Sequence, residues 1–181
     1  MASPPVDFFF DTSALVKYYH PEKGTRAVRF WINDFSGRRH QPARFFFPNL
    51  CIPEILHVFY VLRYLKGKLT GDLLNRLRAT FLNDLERRKL AVCNLTRRDI
   101  LATEPLYELA HEEYRSRPRQ EEGLLSPMDI MILAMAHNFK ASHSNLFLVT
   151  ADTQMVRVAA RIGLQVLNPN DYQAIPEELK P

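Results

Sequence analysis

Two short, mostly apolar, β-prone runs, VDFFF at 6 to 10 and LFLVT at 146 to 150, each stop at a carboxylate, Asp11 directly and Asp152 two residues on. Runs of this length that are predominantly apolar predict strands buried on both faces, as in a parallel sheet. LAVCN at 90 to 94 and LQVLN at 164 to 168, the latter closed by Pro169, are two further candidates. Between the strands the spacing changes to that of helices, over 13 to 19, 25 to 34, 53 to 66, 71 to 88, 97 to 115, 127 to 138 and 153 to 162. Gly163 marks a helix end, and Gly67 and Gly71 bracket a turn.

Strands that alternate with helices imply an α/β fold with a parallel sheet covered on both faces. Neither an internal repeat nor a linker divides the chain, so residues 1–181 are expected to form one domain, near the usual size for one core. The densest apolar segment, 45 to 62, is broken by Pro48, Asn49, Pro53 and Glu54, which argues for burial in protein and against a membrane span. SGRRHQPAR, 36 to 44, reads as a basic loop and RSRPRQEEG, 115 to 123, as a second loop. Either is placed to touch a substrate.

Composition narrows the class. A chain with 46% hydrophobic and 24% charged residues is that of a folded soluble protein. The opening MASPPVD has no basic region and no long apolar stretch, so no secretory signal is expected. Cys51 and Cys93 form no Cys-x-x-Cys pair, which suits a reducing compartment, with the cytoplasm as the expectation. A net charge of +4 is compatible with a polyanionic partner. Arginines and lysines concentrate between Arg26 and Lys68 and again between Arg87 and Arg98, patterns that ordinary solvated faces also produce.

The candidate chemistry lies in four acids. Asp11, Glu54, Asp129 and Asp152 each stand at or just after a predicted helix start, in or beside strongly apolar sequence. Singly, each has a structural explanation, since helix N-termini favour carboxylates. Ser126-Pro127-Met128-Asp129 even has the form of a capping box. Jointly they say more, because ligands of an open parallel sheet bind beyond the carboxyl ends of its strands, where Asp11 and Asp152 fall. Like charges ~5 Å apart repel by roughly 3 kcal/mol at an effective dielectric near 20, so a shared cluster requires protons or a hard cation. Thr12, Ser13 and Thr150 stand beside the first and last acids and can orient their oxygens.

The segments FFFDTSALVKYY, PEILHVF, LSPMDIMILAMA and LFLVTADTQMVRVAARIGLQVLNP, in this order over about 6 to 172, resemble the PIN-domain nucleases and most closely their VapC-like toxin branch. The resemblance implies a three-layer α/β/α sandwich around a parallel sheet and a Mg²⁺- or Mn²⁺-dependent ribonuclease. It also implies frequent homodimers and neutralisation by a small antitoxin protein. Carried over by position, the family's acidic site falls on Asp11, Glu54, Asp129 and Asp152, as metal and catalytic residues, supported by the hydroxyls of Thr12, Ser13 and Thr150. The chain departs from small toxins in an enlarged middle, 67 to 123, and in the basic segment 36 to 44.

Other chemistries are less well served. The six histidines show no zinc-ligand spacing, and the glycines form no phosphate-binding loop. Two rival functions stay open: a catalytically silent PIN-like module that binds RNA or protein, and an aspartate-based phosphatase or phosphotransferase with Asp11 following a first strand. The latter lacks a second acid two residues on, where Ser13 stands. Tyr18, Tyr19 and His20 are candidates for stacking on a base, or else core and rim residues. The helix at 53 to 66 has too many apolar residues for one stripe, so it is either fully enclosed or faces a second chain.

Overall fold

The computed structural model describes residues 5–35, 42–116 and 123–172. Within them, strands β1 (Val6–Phe10), β2 (Ala43–Pro48), β3 (Ala91–Cys93), β4 (Leu146–Val149) and β5 (Gln165–Leu167) form one sheet in the order β3-β2-β1-β4-β5. Every pairing is parallel, with Phe8 of β1 opposite both Phe45 of β2 and Phe147 of β4. The centre of the sheet is why β1 can be FFF. Phe8 stacks on Trp31 and meets Phe35 edge-on at one face, while Phe9 meets Phe139 at the other. Successive strand side chains point to opposite faces, so a strand covered twice is mostly apolar on both, and in β1 Asp7 is the exception.

Helices α1 (Thr12–Tyr19), α2 (Thr25–Arg29), α3 (Cys51–Tyr60) and α4 (Gly71–Glu86) pack on one another, α1 against α2 and α3, and α3 against α4. Wider π-type turns continue α2 over Phe30–Asp34 and α3 over Val61–Leu65. A second group, α5 (Arg97–Leu101), α6 (Glu104–Arg115), α7 (Pro127–Lys140) and α8 (Thr153–Arg161), packs around α7. Trp31 and Phe35, reached from α2, lie on one face of β1 and Phe139 of α7 on the other, so the expected three-layer α/β/α sandwich is present.

Three expectations need correction. The helix read over 97 to 115 is two helices, because the chain turns at Ala102 and Thr103 and Pro105 has no N–H with which to continue the ladder. Strand β2 was absent from the predicted set; its ARFFFP run merges with the apolar residues that follow, leaving no period to separate strand from helix. Arg44, read as part of the basic loop, lies in β2, where its guanidinium donates to both carboxylate oxygens of buried Asp7 at 2.7 Å. The remainder of that loop, 36–41, and residues 117–122 of the second lie outside the described residues.

α7 is buried almost all round, with Ile130, Ile132, Leu133, Ala134, Met135 and Ala136 in the core. α3 is not. Ile55, Phe59 and Leu62 point inward, whereas Tyr60, Tyr64 and Leu65 face solvent. Among the described residues no helix is long and apolar enough to cross a membrane. Gly24 adopts φ 88° between α1 and α2, and a Cβ there would stand 2.9 Å from the carbonyl carbon and oxygen of Pro169, so the position requires glycine.

Candidate active site

The order of strands reverses beside β1: the chain moves outward through β2 and β3, then returns to the opposite side for β4 and β5. The crevice at such a reversal opens beyond the carboxyl ends of the two adjacent strands. Here those ends deliver Asp11 from β1 and Thr150, Ala151 and Asp152 from β4. The backbone N–H of Asp11 donates to the Val149 carbonyl at 3.1 Å, which ties the two strand ends together.

Asp11 is 3% exposed and caps α1, accepting from the Ala14 N–H at 2.7 Å. Its carboxylate also accepts from Ser13 Oγ at 2.8 and 2.9 Å and from Thr150 Oγ1 at 2.6 Å. Ser13 Oγ in turn accepts from the Ala151 N–H at 2.8 Å, and Thr150 Oγ1 from the Asp152 N–H at 3.1 Å. The three hydroxyl positions expected to orient the acids therefore do touch them, with Thr12 Oγ1 donating to Glu54. Burial pushes the Asp11 carboxyl up from 3.8 to about 7; the hydrogen bonds from Thr150, Ala14 and Ser13 oppose the shift, and the negative charge of Asp129 adds to it.

Glu54 lies in the first turn of α3. Asp129 closes a capping box at the start of α7, accepting from the Ser126 hydroxyl at 2.7 Å and the Ser126 N–H at 2.9 Å. Cys51, at the start of α3, is fully buried, and its thiol is pushed up by burial, opposed by a hydrogen bond with Thr12 and reinforced by the charges of Asp11, Glu54 and Asp129. The charges of the same three acids act on this thiol, and Thr12, next in the chain to Asp11, bonds Glu54. Sequence reasoning missed Cys51, and only its place three residues before Glu54 hinted at it.

Asp152 follows Thr150 by two residues. Its side chain caps α8, accepting from the Gln154 N–H at 2.7 Å and the Met155 N–H at 2.9 Å. It shares with Asp129 the wall of an open cavity of about 440 Å³, completed by Leu124, Leu125 and Ala151. Among the described residues no three His, Cys, Asp or Glu side chains converge tightly enough, as oriented here, to enclose an ion. Asp11, Asp129 and Asp152 are each turned toward a helix N-terminus, and Glu54 toward Thr12.

The donor set nevertheless suits a hard divalent cation. All four side chains are carboxylates, and among the described residues no Lys or Arg forms an ion pair with any of them. Mg²⁺ and Mn²⁺ favour such oxygen ligands, and Mg²⁺ is commonly held by one or two carboxylates with water filling the remaining positions. The raised proton affinity of Asp11 comes chiefly from its burial, to which the charge of Asp129 adds, and a bound cation would offset both.

The tyrosines after Asp11 do not present a common stacking surface. Tyr19 is buried and donates to Asp84 at 3.2 Å, while Tyr18 donates to Asn33 at 3.0 Å and carries the Lys89 ammonium over its ring.

Comparison with known proteins bears on the fold and the family. Curated protein sequences yield no match. Among solved structures the chain is similar to FitAB bound to an IR36 DNA fragment, with 15% identity and a TM-score of 0.57 over 92% of this chain and 98% of that one. It is similar also to DNA-bound VapBC from Salmonella typhimurium, with 16% identity and a TM-score of 0.51 over 90% and 97%. VapBC2 from Rickettsia felis, bound to a promoter DNA fragment, gives 12%, 0.51, 90% and 98%. At such identities the likeness is one of fold. The PIN domain family model, however, matches residues 8–161, a span from β1 through α8 that contains all four acids. The chain belongs to the PIN domain family.

Proposed function

We propose that this chain is a Mg²⁺- or Mn²⁺-dependent endoribonuclease, the VapC-like toxin of a toxin–antitoxin pair. The observation that supports the reading is that Thr12, next to Asp11, donates to Glu54 at the strand-order reversal, with Asp129 and Asp152 on one cavity. Family membership supplies the nuclease chemistry, and the VapBC and FitAB folds support the toxin assignment.

In this reading Asp11 and Asp129 hold the ion most directly, and Glu54 and Asp152 complete the site or position the attacking water. A bound divalent ion supplies Lewis-acid neutralisation of the phosphoryl oxygens and raises the acidity of a coordinated water. The chain's own hydroxyls do the positioning: Ser13 and Thr150 fix the Asp11 carboxylate and Thr12 fixes Glu54. RNA is held through phosphate contacts to Lys and Arg, and single-stranded or looped bases are read by sequence if at all. The reading places the protein in the cytoplasm as a homodimer, silenced by a small antitoxin.

Incubation of the purified protein with total cellular RNA, with and without Mg²⁺ or Mn²⁺, tests the activity. Discrete metal-dependent fragments, absent with Asp11→Asn, are expected; the same fragments from a folded Asp11→Asn protein would refute it. Mass measurement of the protein alone and with the product of a small neighbouring reading frame tests the partners.

A second reading, a catalytically silent binding module, draws on the capping role that Asp11, Asp129 and Asp152 already fill. Titration with Mn²⁺ separates the two, since a silent site binds the ion weakly and cuts nothing.

A further inference from the structure

The far end of α3 carries two tyrosines that the fold leaves in solvent, Tyr60 at 39% and Tyr64 at 69% exposure, followed by Leu65 at 80%. Their rings stack on each other, with centroids 6.0 Å apart and planes 12° from parallel. Arg78 of α4 lies over the Tyr60 ring and Arg63 over the Tyr64 ring, each guanidinium carbon 5.7 Å from the centroid. Lys66 and Lys68, both exposed, come next along the chain. Among the described residues none of these four cations forms an ion pair.

Ring pairs four residues apart on a helix stabilise it only slightly, which is little reason to keep two large aromatics in water. A second copy of the chain seated here about a two-fold axis would bring Arg63, Lys66, Lys68 and Arg78 against their own counterparts, an arrangement that like charge opposes. A polyanion meets no such opposition. Phosphates pair with the four cations, and bases stack on tyrosine rings or guanidinium planes, the two elements of single-strand binding surfaces.

We propose that Tyr60, Tyr64, Arg63 and Arg78 form a platform on which unpaired bases of a single-stranded RNA stack while another part of the same strand lies at the four acids. Glu54 opens the helix that carries the platform, roughly 9 Å from Tyr60 and 15 Å from Tyr64 at 1.5 Å per residue. The proposal rests on the ribonuclease reading and adds to it where the strand runs beyond the cut.

The test uses the full chain and a fluorescein-labelled, unstructured RNA of mixed sequence, about 16 nucleotides long, the upper end of what a single binding surface covers. Binding is read by anisotropy in EDTA and cleavage of the same oligomer with Mn²⁺. The Tyr60→Ala/Tyr64→Ala protein is expected to bind about tenfold more weakly or worse, with KM raised and kcat unchanged, and Tyr60→Phe/Tyr64→Phe to bind as the parent does. Wild-type binding by the alanine pair, beside a parent that binds the oligomer, overturns the platform. So does a parent dimer that the alanine pair dissociates, which would assign the face to a second copy. A parent that binds through the tyrosines yet cuts nothing keeps the platform and sinks the nuclease, and a parent that neither binds nor cuts sinks both.

Discussion

Replacing Asp11 by Asn isolates the energetic tension on which the site depends. The buried carboxyl is held up from 3.8 to about 7, and each tenfold in proton affinity is worth about 1.4 kcal/mol, so ionising Asp11 in the metal-free fold costs roughly 4 kcal/mol relative to the unfolded chain. The folded state binds the proton more tightly. This group's contribution is therefore fully present below about pH 4 and is lost as pH rises through about 7. Asn removes the titration but keeps an oxygen for the Ala14 N–H, and its amide can donate to Thr150 Oγ1, so the exchange of one hydrogen-bond partner costs about 1 kcal/mol. Metal-free Asp11→Asn should thus be about 1 kcal/mol less stable than the parent at pH 4 and roughly 3 kcal/mol more stable at pH 8. Urea denaturation in EDTA at both pH values reads the two differences. Equal destabilisation at both would show that Asp11 ionises at no cost as an ordinary helix cap, and the case for a buried carboxylate that ionises at a cost in the metal-free fold would fail.

Other outcomes follow from the same contacts. Mn²⁺ should raise the melting temperature of the parent more at pH 8 than at pH 6, because the ion competes with the Asp11 proton, and should leave Asp11→Asn nearly unmoved; differential scanning fluorimetry measures both. Thr150→Val deletes the donor to Asp11 and the acceptor for the Asp152 N–H, so it should cost about 1–3 kcal/mol and move the acid limb of the pH–activity profile upward. Gly24→Ala should destabilise by more than 1 kcal/mol in thermal or urea unfolding, since it combines a positive φ with a 2.9 Å approach to Pro169.

Much of this was legible in the chain because the sheet's centre is written in one kind of residue. β4 is apolar at every position and β1 at all but Asp7, which Arg44 neutralises; β1 runs directly into Asp11, and Asp152 follows β4 by three residues. The short edge strands β3 and β5 were visible through the turn residues around them. β2 was hidden for the same reason that β1 was clear: its phenylalanines run on into the apolar start of α3, and uniform hydrophobicity carries no period. Pro105 carried a readable break that the surrounding helical spacing outweighed. At the site, Asp11 was placed by its strand and Asp129 by its capping box, both local signals. The contact of Thr12 with Glu54, 42 residues on, is a product of packing and has no local trace.

Diffraction from crystals soaked in Mn²⁺, recorded at a wavelength where manganese scatters anomalously, tests the central claim most directly. An anomalous peak within 2.5 Å of oxygens from Asp11 and Asp129, with Glu54 or Asp152 turned toward it directly or through water, is the predicted result. A saturated soak that leaves all four carboxylates in their helix-cap and Thr12 contacts, with no manganese between them, would contradict it.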